Sequence, residues 1–141
     1  MGKINWGRVI AGGLIAGLVL NVVDFLTYGV WLKPDLDAAM AAMGRPAGAM
    51  DKAIPIFVLV DFLYGIGLLW LYAAIRPRYG PGPKTAVIAG LALWVFIGLL
   101  HAIGEAPMAM MPQRVMTIGT IVALIALPVA GAVGGSIYQE V

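Results

Sequence analysis

Six side chains in this sequence have the types and spacing to do chemistry: Asn21, Asp24, Asp61, His101, Glu105 and Arg114. Asp24 sits in NVVDFLTYGVW and Asp61 in IFVLVDFLYG, so both carboxyls interrupt apolar sequence. An isolated carboxylate in such surroundings is costly and persists only when paired, protonated or bound to a cation. Two carboxyls with an imidazole and a guanidinium nearby could form a pocket for a proton, an ion or a small polar ligand. The same groups could instead act as polar glue between helices. His101 and Glu105 are four residues apart, a helical spacing at which the carboxylate can orient the imidazole as a metal ligand or hold it in place by a hydrogen bond. A single histidine supplies one axial ligand, which admits haem or a chlorophyll-type pigment. Met40, Met43, Met108, Met110 and Met111, in MAAM and MAMM spacings, add soft thioethers that suit Cu(I) and serve equally as adaptable apolar filler.

No enzyme signature accompanies these residues. A Ser-His-Asp order in convincing context, a phosphate-cradling glycine loop and H-E-x-x-H are all missing from the sequence. GPGPK has no GK[ST] and no strand before it, so it reads as turn punctuation. The expectation is therefore a protein that is not an enzyme. The absence of cysteine removes disulfides, thiolate metal sites and cysteine nucleophiles together. The net charge is +2 with no block of Lys or Arg, which argues against a nucleic-acid partner.

The elements that must position these residues follow from composition. Of the 141 residues, 62% are hydrophobic and only 11% charged, against about 25% charged in a soluble domain. The mean hydropathy is +0.96. About 20 apolar residues cross a bilayer as a helix, and four such runs are present, near residues 9–32, 53–75, 85–106 and 115–138. These predict an all-α fold, an integral membrane four-helix bundle in one domain, with the lipid bilayer as its immediate partner. The first run is too long for a signal-peptide core and reads as a retained anchor. KPDLD, RPRYGPGPK and APMAMMP break the runs apart, with RPRYGPGPK expected to be non-helical and Pro128 expected to kink the fourth span. In the 33–52 loop, Leu36, Met40 and Met43 recur at helical spacing, which allows a short interfacial helix. Lys3, Arg8, Arg76, Arg78 and Lys84 crowd the span ends on one side, whereas Lys33, Arg45, Lys52 and Arg114 are diluted over a longer, Asp-containing loop. That bias favours both termini inside (N-in/C-in).

Within the spans, small and polar residues share faces. Gly13, Gly17, Asn21, Asp24 and Tyr28 recur every three or four residues, as do Gly90, Trp94, Gly98, His101 and Glu105, while Gly131 and Gly135 mark the fourth span. Glycine at such spacing lets helices approach closely. Asp24 and Asp61 each lie about eight residues from the outer end of their spans, or about 12 Å deep at 1.5 Å per residue. All six polar candidates thus fall in the outer half, where the aspartates are expected to face inward, to pair with His101 or Arg114, or to take up a proton. VIAGGLIAG and VIAGLALW form a weak internal echo between the first and third spans, attributable to duplication or simply to shared small-residue composition.

NVVDF in the first span, followed by LYAAIRPRYGPGPKTA joining the second and third, resembles a group of small four-span bacterial inner-membrane proteins of unassigned function. The resemblance covers nearly the whole chain and implies topology and a bacterial inner-membrane location, but no catalytic residues. The leading functional expectation is a non-catalytic accessory subunit, packing against a larger respiratory or photosynthetic membrane complex or against copies of itself. The alternative is a small proton- or ion-coupled carrier or ligand-binding protein built on the polar pocket. Copper, haem or pigment binding stands third.

Overall fold

Asn5 opens the first helix by accepting the Arg8 N–H on its side-chain oxygen at 3.1 Å, which satisfies one of the amides a helix start leaves free. From there the apolar run proceeds as α1, Trp6–Asp24. In the computed structural model, which describes residues 2–140, the chain is helical throughout with no strand among the described residues. A π-helical stretch, Phe25–Trp31, continues α1. A short helix α2, Lys33–Ala42, follows in the loop where an interfacial helix was expected. Next come α3, Ile54–Tyr79, and α4, Pro83–Trp94. The latter continues through a second π-helical stretch, Val95–Leu99, into α5, Leu100–Glu105. The last helix is α6, Gln113–Gly135. Four rods, 6–31, 51–79, 83–108 and 113–135, are long and apolar enough to cross a membrane.

One proline expectation changes. The helix α3 runs through Pro77 to Tyr79, so most of RPRYGPGPK splits between two helices. Pro77 lies in the last turn, where only one amide is lost, and the true stop is Gly80 at φ 86°, whose N–H closes on the Arg76 carbonyl at 2.8 Å. The helix α6 is continuous through Pro128. Gly90 of α4 lies against it so closely that a Cβ at that position would stand 2.6 Å from the Pro128 N and Cα.

Consecutive rods run antiparallel, and α1 packs on both α3 and α6, with α4 closing the ring between α3 and α6. The core sits toward the end that carries the chain termini. Val9, Ala16, Leu68, Leu69, Ala89 and Ala130 are fully or almost fully buried there. Tyr138 seals that end: its ring stacks edge-on against Tyr72 at 5.8 Å, its hydroxyl accepts the Asn5 N–H at 3.2 Å, and Arg76 lies 5.3 Å over its face. Arg76 also pairs with Glu140 at 3.5 Å. The end that carries α2 is looser, because neither the Val95–Leu99 stretch nor α5 buries a residue.

Candidate functional site

The site begins with a backbone ladder. A Cβ on Gly13 would stand 2.5 Å from Ile66 Cα, and one on Gly17 would stand 2.7 Å from Phe62 Cα. One turn further, the Asn21 amide donates to Val58 O at 3.3 Å as well as to Gly17 O at 2.9 Å. Each step of four along α1 is matched by a step of four back along α3, the signature of two antiparallel helices crossing on their small faces. Gly65 fits between Gly13 and Gly17, its absent Cβ displaced by their backbone atoms.

Asp61 stands within this ladder, between the Phe62 and Val58 rungs, and meets Asp24 just above it. In an antiparallel pair each Cβ leans toward the start of its own helix, so the two side chains lean toward one another. Asp61 is only 7% exposed, and its carboxyl lies within hydrogen-bonding reach of that of Asp24. Ionised carboxylates only accept hydrogen bonds, so contact of this kind requires a proton on one of them or a cation between them. Among the described residues no Lys, Arg or His forms an ion pair with either group. Four basic groups form their ion pairs elsewhere: Arg114 on Asp35 at 3.0 Å, Lys33 between Asp37 and Asp51, His101 on Glu105, and Arg76 on Glu140. Lys33, outside the spans, is held above its ordinary value by the carboxylates of Asp37 and Asp51.

Immediately after Asp24 the helix widens into the Phe25–Trp31 π stretch, closed by Leu32 N–H to Thr27 O at 2.8 Å. Such stretches recur at functional sites. The buried Thr27 hydroxyl donates to Val23 O at 2.8 Å within the same transition. Tyr28, on the π stretch, extends to α6 and places its hydroxyl against Gly119. The second π stretch starts after Trp94, whose indole N–H donates to Thr120 O at 2.8 Å. Both stretches are therefore anchored at neighbouring residues of α6.

The six candidates do not form one pocket. Asn21, Asp24 and Asp61 come together at the α1–α3 crossing. His101 and Glu105 pair at 3.3 Å, and their side chains are 65% and 49% exposed. Arg114 reaches Asp35 on α2. The physical reason for His101 is the π stretch: one extra residue in a turn rotates everything after it by about 100°. Gly90 and Trp94 face α6, whereas His101 and Glu105, beyond the π stretch, turn outward. Gly98, on that stretch, faces only Trp94 of its own rod, while Gly131 and Gly135 pack on Ala86 with Leu68 and Tyr72. The VIAG echo serves one purpose twice, since Gly12 and Gly90 both sit against α6, at Gly134 and Pro128.

Among the described residues no three His, Asp or Glu side chains converge as a metal site would require. The Nε2 of His101, suited to axial ligation, faces Glu105. Met40 is buried, Met43, Met108 and Met110 are exposed, and Met111 lines a cleft of about 550 Å³ between α5 and α6 with Met116, Gln113, Thr117 and Thr120. Sequence reasoning put Tyr28 on the face that meets α3 and missed Gly119 of α6 as its seat, Thr27 and both π stretches. A lone glycine and a lone threonine carry no periodic signal. No protein-family model, curated protein or solved structure matches the chain.

Proposed function

We propose that this chain is a non-catalytic, multi-pass protein of a bacterial inner membrane, with both termini cytoplasmic, and that it handles a proton or small cation at the Asp24–Asp61 pair. The observation that carries this reading is the meeting of two carboxyls between apolar rods with no basic side chain in an ion pair with either among the described residues. A carboxylate at membrane depth costs roughly 2.5–3.5 kcal/mol on insertion scales, so the pair holds a positive partner at rest. Releasing that partner and taking it up again is what a small coupled carrier does. Asn21 ties α1 to α3 between the two carboxyls through Val58 O, and the π stretch begins at the residue after Asp24.

The test is dissipation of an imposed pH gradient across vesicles holding the purified protein, with and without an added monovalent cation. Asp24→Asn and Asp61→Asn should each reduce the protein-dependent rate to that of empty vesicles. Variants that fold and conduct like the unsubstituted chain would remove the proposal.

A role as an accessory subunit, or as a self-associating one, is the second reading. It draws on Gly67 and Gly104, which face outward with nothing within 4 Å and leave room for another helix to approach. A native particle much heavier than this chain, extracted gently from its own membrane, would favour it.

A further inference from the structure

The Tyr28 side chain occupies an unusual position beside the carboxyl pair. It stands one turn beyond Asp24, toward the α2 end, on the π stretch. Its ring bridges from α1 to α6, with the hydroxyl where a Cβ of Gly119 would stand and Cζ 3.1 Å from that point. The hydroxyls of Tyr72 and Tyr138 each accept a backbone N–H, whereas that of Tyr28 makes no hydrogen bond among the described residues. The phenol is thus held by shape alone, in a notch that exists because position 119 lacks a side chain. A group held in this way can swing to another rotamer without leaving a buried partner unsatisfied. The surrounding half of the bundle is also the loosely packed one.

We propose that Tyr28 is the closure over the α2-end approach to the Asp24–Asp61 pair, with Gly119 as its seat. The proposal rests on the carboxyl reading and assigns the residue that controls access to that site. When the ring lies across to α6, the pair is cut off from the α2 side. When it swings out, a proton or small cation reaches the carboxyls.

The chain contains no cysteine, so a single introduced thiol reports access without background. Ala123 lies one turn deeper than Gly119 on α6 and packs against the core, which makes Ala123→Cys the probe. With the full chain in vesicles and a water-soluble maleimide as reagent, labelling should be slow in an otherwise unsubstituted background. Adding Gly119→Ala puts a methyl where the hydroxyl sits and should speed labelling roughly tenfold or more. Further adding Tyr28→Phe removes the clashing oxygen, leaves the ring, and should return labelling to the slow rate. Tyr28→Ala alone, which leaves position 119 untouched, should also label fast. Equal rates in all backgrounds would overturn the closure, and so would fast labelling that persists in the Gly119→Ala, Tyr28→Phe combination. The pH-gradient assay is run on the same vesicles. If Asp24→Asn and Asp61→Asn leave that rate unchanged, the carboxyl reading falls and the closure with it. If they abolish it while labelling is equal everywhere, only the closure falls.

Discussion

Gly65→Ala tests whether the α1–α3 crossing holds the carboxyl pair together. A Cβ at this position collides with the Gly13 carbonyl oxygen and the Gly17 N, and stands 2.8 Å from Gly17 Cα. All three are backbone atoms, so no rotamer change relieves them. Carbon atoms pack at about 3.5–4.0 Å, which means α1 must move away by about 1 Å along its whole contact with α3. Overpacking of this kind costs roughly 1–3 kcal/mol, and a rigid obstacle on both sides places the cost near the top of that range. Replacing a helical glycine by alanine returns about 0.8–1.0 kcal/mol of propensity, so the net loss should be about 2 kcal/mol. Gly67→Ala, two residues on, has nothing within 4 Å of its Cβ and should stabilise by up to about 1 kcal/mol. The assay is reversible unfolding of the purified chain by SDS in mixed micelles, read by circular dichroism. The two alanine variants should differ by about 3 kcal/mol with opposite signs. If they behave alike, the crossing is not the tight contact described here, and the argument that it positions Asp24 against Asp61 loses its footing.

Two further perturbations probe the anchors on α6 and the ionic contacts at the α2 end. Trp94→Phe deletes the donor to the Thr120 carbonyl; interhelical hydrogen bonds of this class average about 0.6 and reach about 1.7 kcal/mol, so the same SDS titration should show a loss of about 1 kcal/mol. Asp35→Asn removes the acceptor for Arg114, whose side chain is 57% exposed; the cost should stay below about 1 kcal/mol and vanish in high salt, because exposed pairs are weak and screened.

The four rods were legible in the sequence because about twenty apolar residues in a row have few alternatives. The face carrying Gly13, Gly17, Asn21, Asp24 and Tyr28 was legible too, since its spacing follows the period of an ordinary helix. What spacing cannot supply is the identity of the neighbour. Gly13 through Asn21 face α3, whereas Tyr28, on the same nominal stripe, lands on α6 because the π stretch changes the angle between Asp24 and the residues after it. The same widening explains why Gly90, Trp94, His101 and Glu105 formed one stripe on paper and two directions in space. Arg114 was misleading for a different reason: the spacing of Leu36, Met40 and Met43 announces the short helix that carries its partner, Asp35, but not which span end that helix meets.

These departures from regular helix lie together, which bears on how the site works. Below Asp24 the chain uses glycine against backbone, a contact that tolerates almost no movement. From Asp24 onward it uses a widened helix and a phenol without a hydrogen bond, and the rod across the bundle buries nothing along Val95–Glu105. A bundle built only for stability would continue the tight ladder to the α2 end, since nothing in the composition prevents another glycine there. The carboxyl pair stands at the boundary between the rigid and the adjustable half. That is where a charge must be placed if a small motion above it is to change its surroundings while the helices below stay in register.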